Sequence, residues 1–311
     1  MAFLWHFTAL ELNDKVLVTG TTLKNETRID KYPKSIFGNA WNVLSSYRKK
    51  AYKNKTITIE TDDQTYTVKT SKKGYFFKLL PEKTIEDFTV FDSDHQELPV
   101  NQYHPHYFKK SESPVEVISD IDDTVIHSHT ASALKRIFSI LFKRPKKRKK
   151  VLFTNALLDF FNESKYRIFY LSKSESNLFG LITAIFRYNE VPVGPLFLTP
   201  YQRFKTLFKP KKGKHKLNFL NCIISNQHDK KFILIGDDTQ KDMDIYTEIA
   251  NLYKSQILKI YIRQTSFFMS QVQKEKWQTL KSTGIDCMYF QDGDDYDVEV
   301  QNLIENYKEI K

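Results

Sequence analysis

Between residues 115 and 262, five short apolar runs alternate with stretches of helical spacing: VEVIS (115 to 119), RIFYLS (167 to 172), LFLT (196 to 199), FILIG (232 to 236) and ILKIYI (257 to 262). Such alternation defines an α/β fold, a parallel Rossmann-like sheet with helices on both faces and right-handed crossovers. Ligands of such sheets gather beyond the carboxyl ends of the strands, so the residues after each run are where chemistry is expected. The chain of 311 residues is long enough for a second core. Upstream, VLVTG (16 to 20), TITIE (56 to 60), TYTVKT (65 to 70), GYFFKLL (74 to 80) and FTVFD (88 to 92) read as strands. TDDQ reads as a hairpin loop and NAWNVLSSYRKK as a helix. The expectation is a smaller β-rich, sandwich-like domain over 1–105, a linker near 103 to 114, and the α/β domain over 113–311.

Several function classes drop out. The 9 glycines form no G-x-G-x-x-G, G-x-x-x-x-G-K or G-x-S-x-G, which removes a dinucleotide fingerprint, a Walker loop and a nucleophile elbow. Cys222 and Cys287 are too few for a zinc ribbon or a disulfide framework; they read as core residues of a protein in a reducing, cytoplasmic compartment. The amino terminus lacks the pattern of a secretory signal, and no apolar run approaches the roughly 18 residues of a membrane span. The protein is expected to be soluble or at most peripheral on the inner membrane face.

The net charge of +11 is local. Residues 143 to 150 (KRPKKRKK) hold Lys143, Arg144, Lys146, Lys147, Arg148, Lys149 and Lys150; residues 205 to 216 hold six lysines, among them Lys209, Lys211 and Lys212. Without these stretches, 35 basic side chains face 37 acidic ones. Such patches are either solvated loops or seats for phosphates, nucleic acid or anionic lipid.

The first run leads into Asp120, Ile121, Asp122, Asp123 and Thr124, and extended geometry places Asp120 and Asp122 on one side. The fourth leads into Asp237, Asp238, Thr239, Gln240, Lys241 and Asp242, which should face the first set across the sheet. Acids crowded at strand exits are either turn and helix caps or hard oxygen ligands for Mg²⁺. Ser172 closes the second run with a hydroxyl suited to a phosphate oxygen, and Lys216 opens a helical stretch before the fourth. Four elements in this order favour a metal-and-phosphate site over isolated caps. Asp238 alone reads as a helix cap rather than an outer metal partner.

These residues resemble the four motifs of the haloacid dehalogenase-like phosphohydrolases. More narrowly, SDIDDT (119 to 124), YLSKSESNLF (170 to 179), VPVGPLFL (191 to 198), His215 with Lys216, and LIGDDTQKDMDIY (234 to 246) resemble the catalytic domain of phosphatidate phosphatases of the fungal actin-patch type, over about residues 113 to 263. TG at 19 to 20, WNVLSSYR (41 to 48) and KKGYF (72 to 76) are similar more loosely to bacterial-type members with a β-rich domain in front. Two places depart from the family pattern. Ser174, Glu175 and Ser176 replace a Ser-Pro-Trp-like sequence, and Asp237, Asp238, Thr239 and Gln240 replace Asp-Ser-Gly-Gln.

The resemblance implies a Mg²⁺-dependent phosphatidate phosphatase with a small cap. Asp120 would attack phosphorus and form an aspartyl-phosphate, and Asp122 would protonate the leaving oxygen and then activate water. The metal would be held by Asp120, the Asp122 backbone carbonyl and Asp237, with Asp242 direct or through water. Ser172 and Lys216 would hold the phosphate, and Thr124 would fix the loop. The stretch ASALKRIFSILF (131 to 142) beside the first basic run reads either as a core helix or as a membrane contact. The expected partners are an anionic phospholipid substrate and a membrane surface. A phosphomonoesterase acting on soluble or polynucleotide 3′-phosphates is the rival reading; no basic and aromatic pattern for base stacking supports nucleic acid. A non-catalytic lipid- or protein-binding module is the third. His127 and His129 read as surface or flap residues, and His215 as structural or phosphate-adjacent.

Overall fold

The computed structural model describes residues 2–24, 35–85, 87–128, 142–201, 214–239 and 241–306. The apolar stretch 131 to 141, His129, Gln240, Lys209, Lys211 and Lys212 lie outside the described residues.

The expected runs are strands. In the amino-terminal region these are β1 (Ala2–Glu11), β2 (Val16–Lys24), β3 (Lys50–Ala51), β4 (Thr56–Thr61), β5 (Thr65–Lys69), β6 (Tyr75–Leu80), β7 (Phe88–Phe91) and β8 (Tyr107–Phe108), with helix α1 (Ile36–Ser46) after β2. One sheet runs β3-β2-β1-β8 with β6 also on β2; a second runs β5-β4-β7. Their facing side chains, including Leu4, Phe7, Val18, Ile57, Ile59, Phe76 and Val90, form one core. The region is therefore a β-sandwich. TDDQ turns β4 into antiparallel β5 as expected.

β1 was not legible as a strand. It is buried along its whole length because its two faces meet different layers: Leu4, Phe7 and Ala9 face the sandwich core, while Phe3 and Trp5 join a core of the α/β region. At its middle, His6 and Phe7 stand opposite Gly20 in a β-bulge, with His6 at φ 51, which interrupts the period of two. β8 falls within the expected linker and pairs parallel with β1.

The α/β region holds β9 (Val115–Ser119), α2 (Leu152–Glu163), β10 (Arg167–Glu175), α3 (Phe179–Tyr188), β11 (Leu196–Thr199), α4 (Lys214–Ser225), β12 (Lys231–Asp237), α5 (Asp242–Leu252), β13 (Ile257–Arg263), α6 (Gln271–Lys281), β14 (Asp286–Phe290) and α7 (Tyr296–Asn306). Its six strands are all parallel, in the order β11-β10-β9-β12-β13-β14. β14 is a sixth strand beyond the five expected.

Alternate residues point to opposite faces. Val117, Tyr170, Ile233 and Tyr261 pack with α2, α3 and α7; Ile118, Phe169, Leu234 and Ile260 pack with α4, α5 and α6. Glu116 falls on an apolar face, where it pairs with Arg167 (2.7 Å) and accepts a hydrogen bond from Gln227 (2.7 Å). β9 and β12 lie side by side although three helical connections separate them in sequence, so the order in which strands are added reverses between them while all stay parallel. That switch point opens a crevice at their carboxyl ends.

The two regions share packing at this end of the sheet. Trp5 Nε1 donates to Ser176 O (2.8 Å), and Asn177 Nδ2 donates to Ser46 O (3.3 Å). The Tyr201 hydroxyl donates to Ser46 O and to Lys49 O (3.0 Å). The amino-terminal region thus braces the loops that follow β10 and β11.

Candidate active site

Asp120 follows β9 directly, Asp237 ends β12, and Asp242 starts α5. One carboxylate oxygen from each lies within 4.8 Å of the other two, and all three residues are buried. The convergence depends on Gly236. A Cβ there would lie 2.8 Å from the Tyr246 ring and 2.9 Å from Asp242 Oδ2, so only glycine lets α5 approach the strand this closely. The Tyr246 hydroxyl then donates to Ile235 O (2.9 Å) and fixes the helix.

Lys216, projecting from α4, places its buried Nζ 2.9 Å from Asp120 Oδ1 and 2.8 Å from Asp242 Oδ1. Burial opposes its charge, but Asp120 and Asp242 outweigh burial and hold the ammonium well above the usual lysine value. For Asp120, burial raises the pKa against the pull of Lys216, and Asp242 and Asp122 add to the rise, bringing it to about 7. Burial, with Asp242 and Asp120 adding to it, pushes Asp237 well above the carboxylate range. Lys173 adds a second ammonium 3.7 Å from Asp242 Oδ1.

Three carboxylates therefore face two ammonium groups. Among the described residues, Asp237 Oδ2 and Asp242 Oδ2 are buried without a hydrogen-bond partner. Orphan oxygens of this kind are costly unless a cation shares them, and a donor set made only of oxygens suits a hard divalent ion over zinc. Asp120, Asp237 and Asp242 could thus hold a metal ion.

Asp122 lies nearer the surface than Asp120. Its Oδ2 accepts from Ser172 Oγ (2.9 Å) and Ser174 Oγ (2.7 Å), and the Ser174 amide donates to Ser172 Oγ (2.9 Å). Ser172 is thus beside the site but bonded to Asp122. The turn between them is held locally: Asp123 takes a left-handed φ of 60 and its Oδ1 accepts from the Ser128 amide (2.7 Å), while Thr124 Oγ1 donates to Asp120 Oδ2 (3.4 Å).

Asp238 does not cap α5, whose amino-terminal cap position is Lys241. Its Oδ1 accepts from the Thr265 amide (3.1 Å) and hydroxyl (2.5 Å), and its Oδ2 from the Tyr289 hydroxyl (2.6 Å). Through these bonds Asp238 ties the end of β12 to the residues after β13 and to β14.

His127 bonds Asp292 (3.1 Å), and His215 bonds Leu198 O (3.0 Å), which makes His215 structural. Cys222 and Cys287 are free thiols partly buried against the sheet, and burial raises both to about 11. Of the first basic run, Lys146, Lys147 and Lys149 are exposed, Lys143, Arg144 and Lys150 half-buried, and Arg148 buried.

Sequence reasoning missed Lys173, Ser174 and Arg263. Ser174 was detectable, since it lies two residues beyond Ser172 on the same side of a strand that continues to Glu175. Arg263 Nη1 donates to Asp123 O (2.6 Å), a contact between distant segments that carries no local signal.

Fold and site define an α/β protein whose buried acids meet at the switch point of a doubly wound parallel sheet. Residues 115–264 match the family described as "Phosphatidate phosphatase APP1, catalytic domain", and this part of the chain belongs to that catalytic-domain family. The chain is 32% identical over 168 residues to phosphatidate phosphatase APP1 of Saccharomyces cerevisiae, covering 51% of this chain and 27% of that protein. It is 23% identical over 230 residues to an uncharacterised protein of Schizosaccharomyces pombe, covering 71% of this chain and 38% of the other. It thus spans well under half the length of these relatives. A solved structure of the Pnkp1/Rnl/Hen1 complex superposes with a TM-score of 0.32 at 12% identity over 70% of this chain and 58% of that one, too low to define a shared fold.

Proposed function

We propose that the protein is a Mg²⁺-dependent phosphatidate phosphatase with a haloacid dehalogenase-like catalytic domain over 113–311, releasing diacylglycerol and phosphate. The observation that carries this reading is the buried cluster itself: Asp120 beside the Lys216 ammonium, converging with Asp237 and Asp242, each of which keeps an unpartnered carboxylate oxygen. The substrate class is carried over from the family and from the S. cerevisiae relative.

Asp120, Asp237 and Asp242 would hold the ion, which when bound offsets the repulsion between a carboxylate nucleophile and an anionic phosphate. An Asp120 carboxylate oxygen attacks phosphorus, and the bond from phosphorus to the glyceryl oxygen breaks. Asp122, oriented by the Ser172 and Ser174 hydroxyls, gives its proton to the departing oxygen. The resulting carboxylate then takes a proton from water as that water attacks the aspartyl-phosphate, freeing phosphate and restoring Asp120. Lys216 stays charged throughout and binds the phosphate oxygens, with Ser172 as its neighbour on the strand side. Thr124 fixes the loop.

A phosphate-release panel tests this, comparing phosphatidate, lysophosphatidate, a sugar phosphate and 3′-phosphorylated DNA with Mg²⁺ or a chelator. Wild type should prefer phosphatidate and need the ion, and Asp120→Asn should lose turnover by about four orders of magnitude or more with its thermal unfolding retained. Activity that survives in Asp120→Asn, or that ignores the chelator, would contradict the proposal.

A further inference from the structure

Two pairs of large aromatic side chains stand in solvent at the carboxyl edge of the parallel sheet, one on each flank of the carboxylates. On α1, Phe37 is 85% exposed and Trp41 63% exposed. Four residues apart, they share the helix face opposite Val43, which is buried in the core. This helix is fastened to the end of the sheet through Ser46, which accepts from Asn177 after β10 and from Tyr201 after β11. On the other flank the loop after β13 carries Phe267, 82% exposed, and Phe268, 78% exposed, their rings edge to face at 4.7 Å.

That loop is built rather than frayed. Gln264 Nε2 donates to Ser266 O (2.8 Å) and Phe267 O (3.0 Å), and Ser266 Oγ donates to Phe268 O (2.9 Å). It is anchored to the site through Thr265 on Asp238. Rigid presentation of apolar rings to water costs free energy that a partner must offset.

We propose that this edge is a docking face for an anionic lipid bilayer, with Phe37, Trp41, Phe267 and Phe268 entering the interface on either side of the carboxylate site. The proposal rests on the reading of the substrate as a membrane phospholipid. Charge complementarity selects the occupant. Arg48 and Lys50 are exposed at the end of α1, with the Arg48 guanidinium 5.7 Å from the Trp41 ring. Lys146, Lys147 and exposed Lys149 lie on a segment joined to the site's loop by the His127 amide on Lys149 O (3.0 Å). Acids 292 to 297 share the edge but follow β14 at its far side, away from α1 and its cations; Asp292 accepts from His127 and the Leu152 amide (2.5 Å), Asp294 from the Gln291 amide (2.7 Å) and Asp295 from the Asp297 amide (3.0 Å). Aromatic rings flanked by cations match the boundary between acyl chains and anionic headgroups. No helix among the described residues is long and apolar enough to cross a membrane, so attachment through this face would be interfacial.

Flotation of the full chain with phosphatidylcholine vesicles, with and without phosphatidate, tests the surface separately from the chemistry. Wild type should bind the anionic vesicles and shift the emission of Trp41 to the blue, a shift absent in Trp41→Phe. Phe37→Ala with Trp41→Ala, and Phe267→Ala with Phe268→Ala, should each weaken binding about tenfold or more while hydrolysis of a soluble phosphomonoester stays unchanged. Binding by both double variants at the wild-type level overturns the proposal. So does self-association of wild type, abolished by the same variants, without vesicle binding. Vesicle binding that follows these predictions without phosphatidate turnover would leave the surface standing and reject the substrate.

Discussion

At Gly236 a single missing Cβ decides whether the acids meet. Gly236→Ala would press on both Tyr246 and Asp242; the expected cost is about 1–3 kcal/mol in thermal or denaturant unfolding, together with weaker Mg²⁺ binding by calorimetry. Asp238 gives the contrasting case. It serves Thr265 and Tyr289 rather than the triad, so Asp238→Ala should lower stability by about 1–3 kcal/mol through stranded donors while leaving Mg²⁺ affinity within twofold. A large affinity loss would restore it as a metal partner. That Asp120, Asp237 and Asp242 meet was legible because strand-end acids are unusual in an otherwise apolar sheet. Lys173 and Arg263 were not, since a lone basic residue after a strand looks like any solvated one until its distant carboxylate or carbonyl is known.

Among the elements, β11 shows how an edge strand is finished. Three imidazoles bond carbonyls along it and just before it: His104 to Gly194 O (2.8 Å), His6 to Leu196 O (2.7 Å) and His215 to Leu198 O (3.0 Å). A carbonyl only accepts, so each Nε2 carries a hydrogen. Burial lowers all three pKa values, His6 from 6.5 to about 4. The unfolded chain therefore takes up protons first, and stability present above pH 6.5 is lost as the pH falls toward 4. Asp120 has the opposite sign: raised from 3.8 to about 7, it contributes stability at low pH that disappears as the pH rises through 7. Without a divalent ion the two trends oppose; on the proposed function, Mg²⁺ at the triad would remove the repulsion among the acids. Melting temperatures from pH 4.5 to 7.5 should rise more steeply with Mg²⁺ than with chelator, and His6→Gln should flatten part of the acid limb. Equal slopes with and without the ion would count against the triad as a cation site. Sequence located β11 but none of its three histidine partners, because each comes from a different segment and only pairing in space makes them a set.

For the whole molecule, the short apolar runs from 115 to 262 were readable because a sheet covered on both faces is apolar throughout each strand. The amino-terminal contribution was less so. β1 is buried against two layers and broken by a bulge, β8 is two residues long and defined by pairing alone, and β14 is a half-exposed edge strand of mixed composition. Phe3, Trp5, Leu23, Val43 and Tyr47 belong to a core whose other buried members lie in the α/β region, and Leu10, Leu12 and Leu17 to the core on its opposite face. A fragment of 113–311 alone should therefore melt at least 10 °C below the full chain and bind a hydrophobic dye, on the order of what several exposed core side chains imply; a fragment as stable as the full chain would show that the braces from residues 1–105 are dispensable. The account as a whole turns on which oxygen attacks phosphorus. Acid quenching during turnover of phosphatidate, borohydride reduction and peptide mapping measure this directly. Phosphate trapped on Asp120, and reduction at that position alone, are predicted; turnover without a covalent adduct, or an adduct elsewhere, would contradict it.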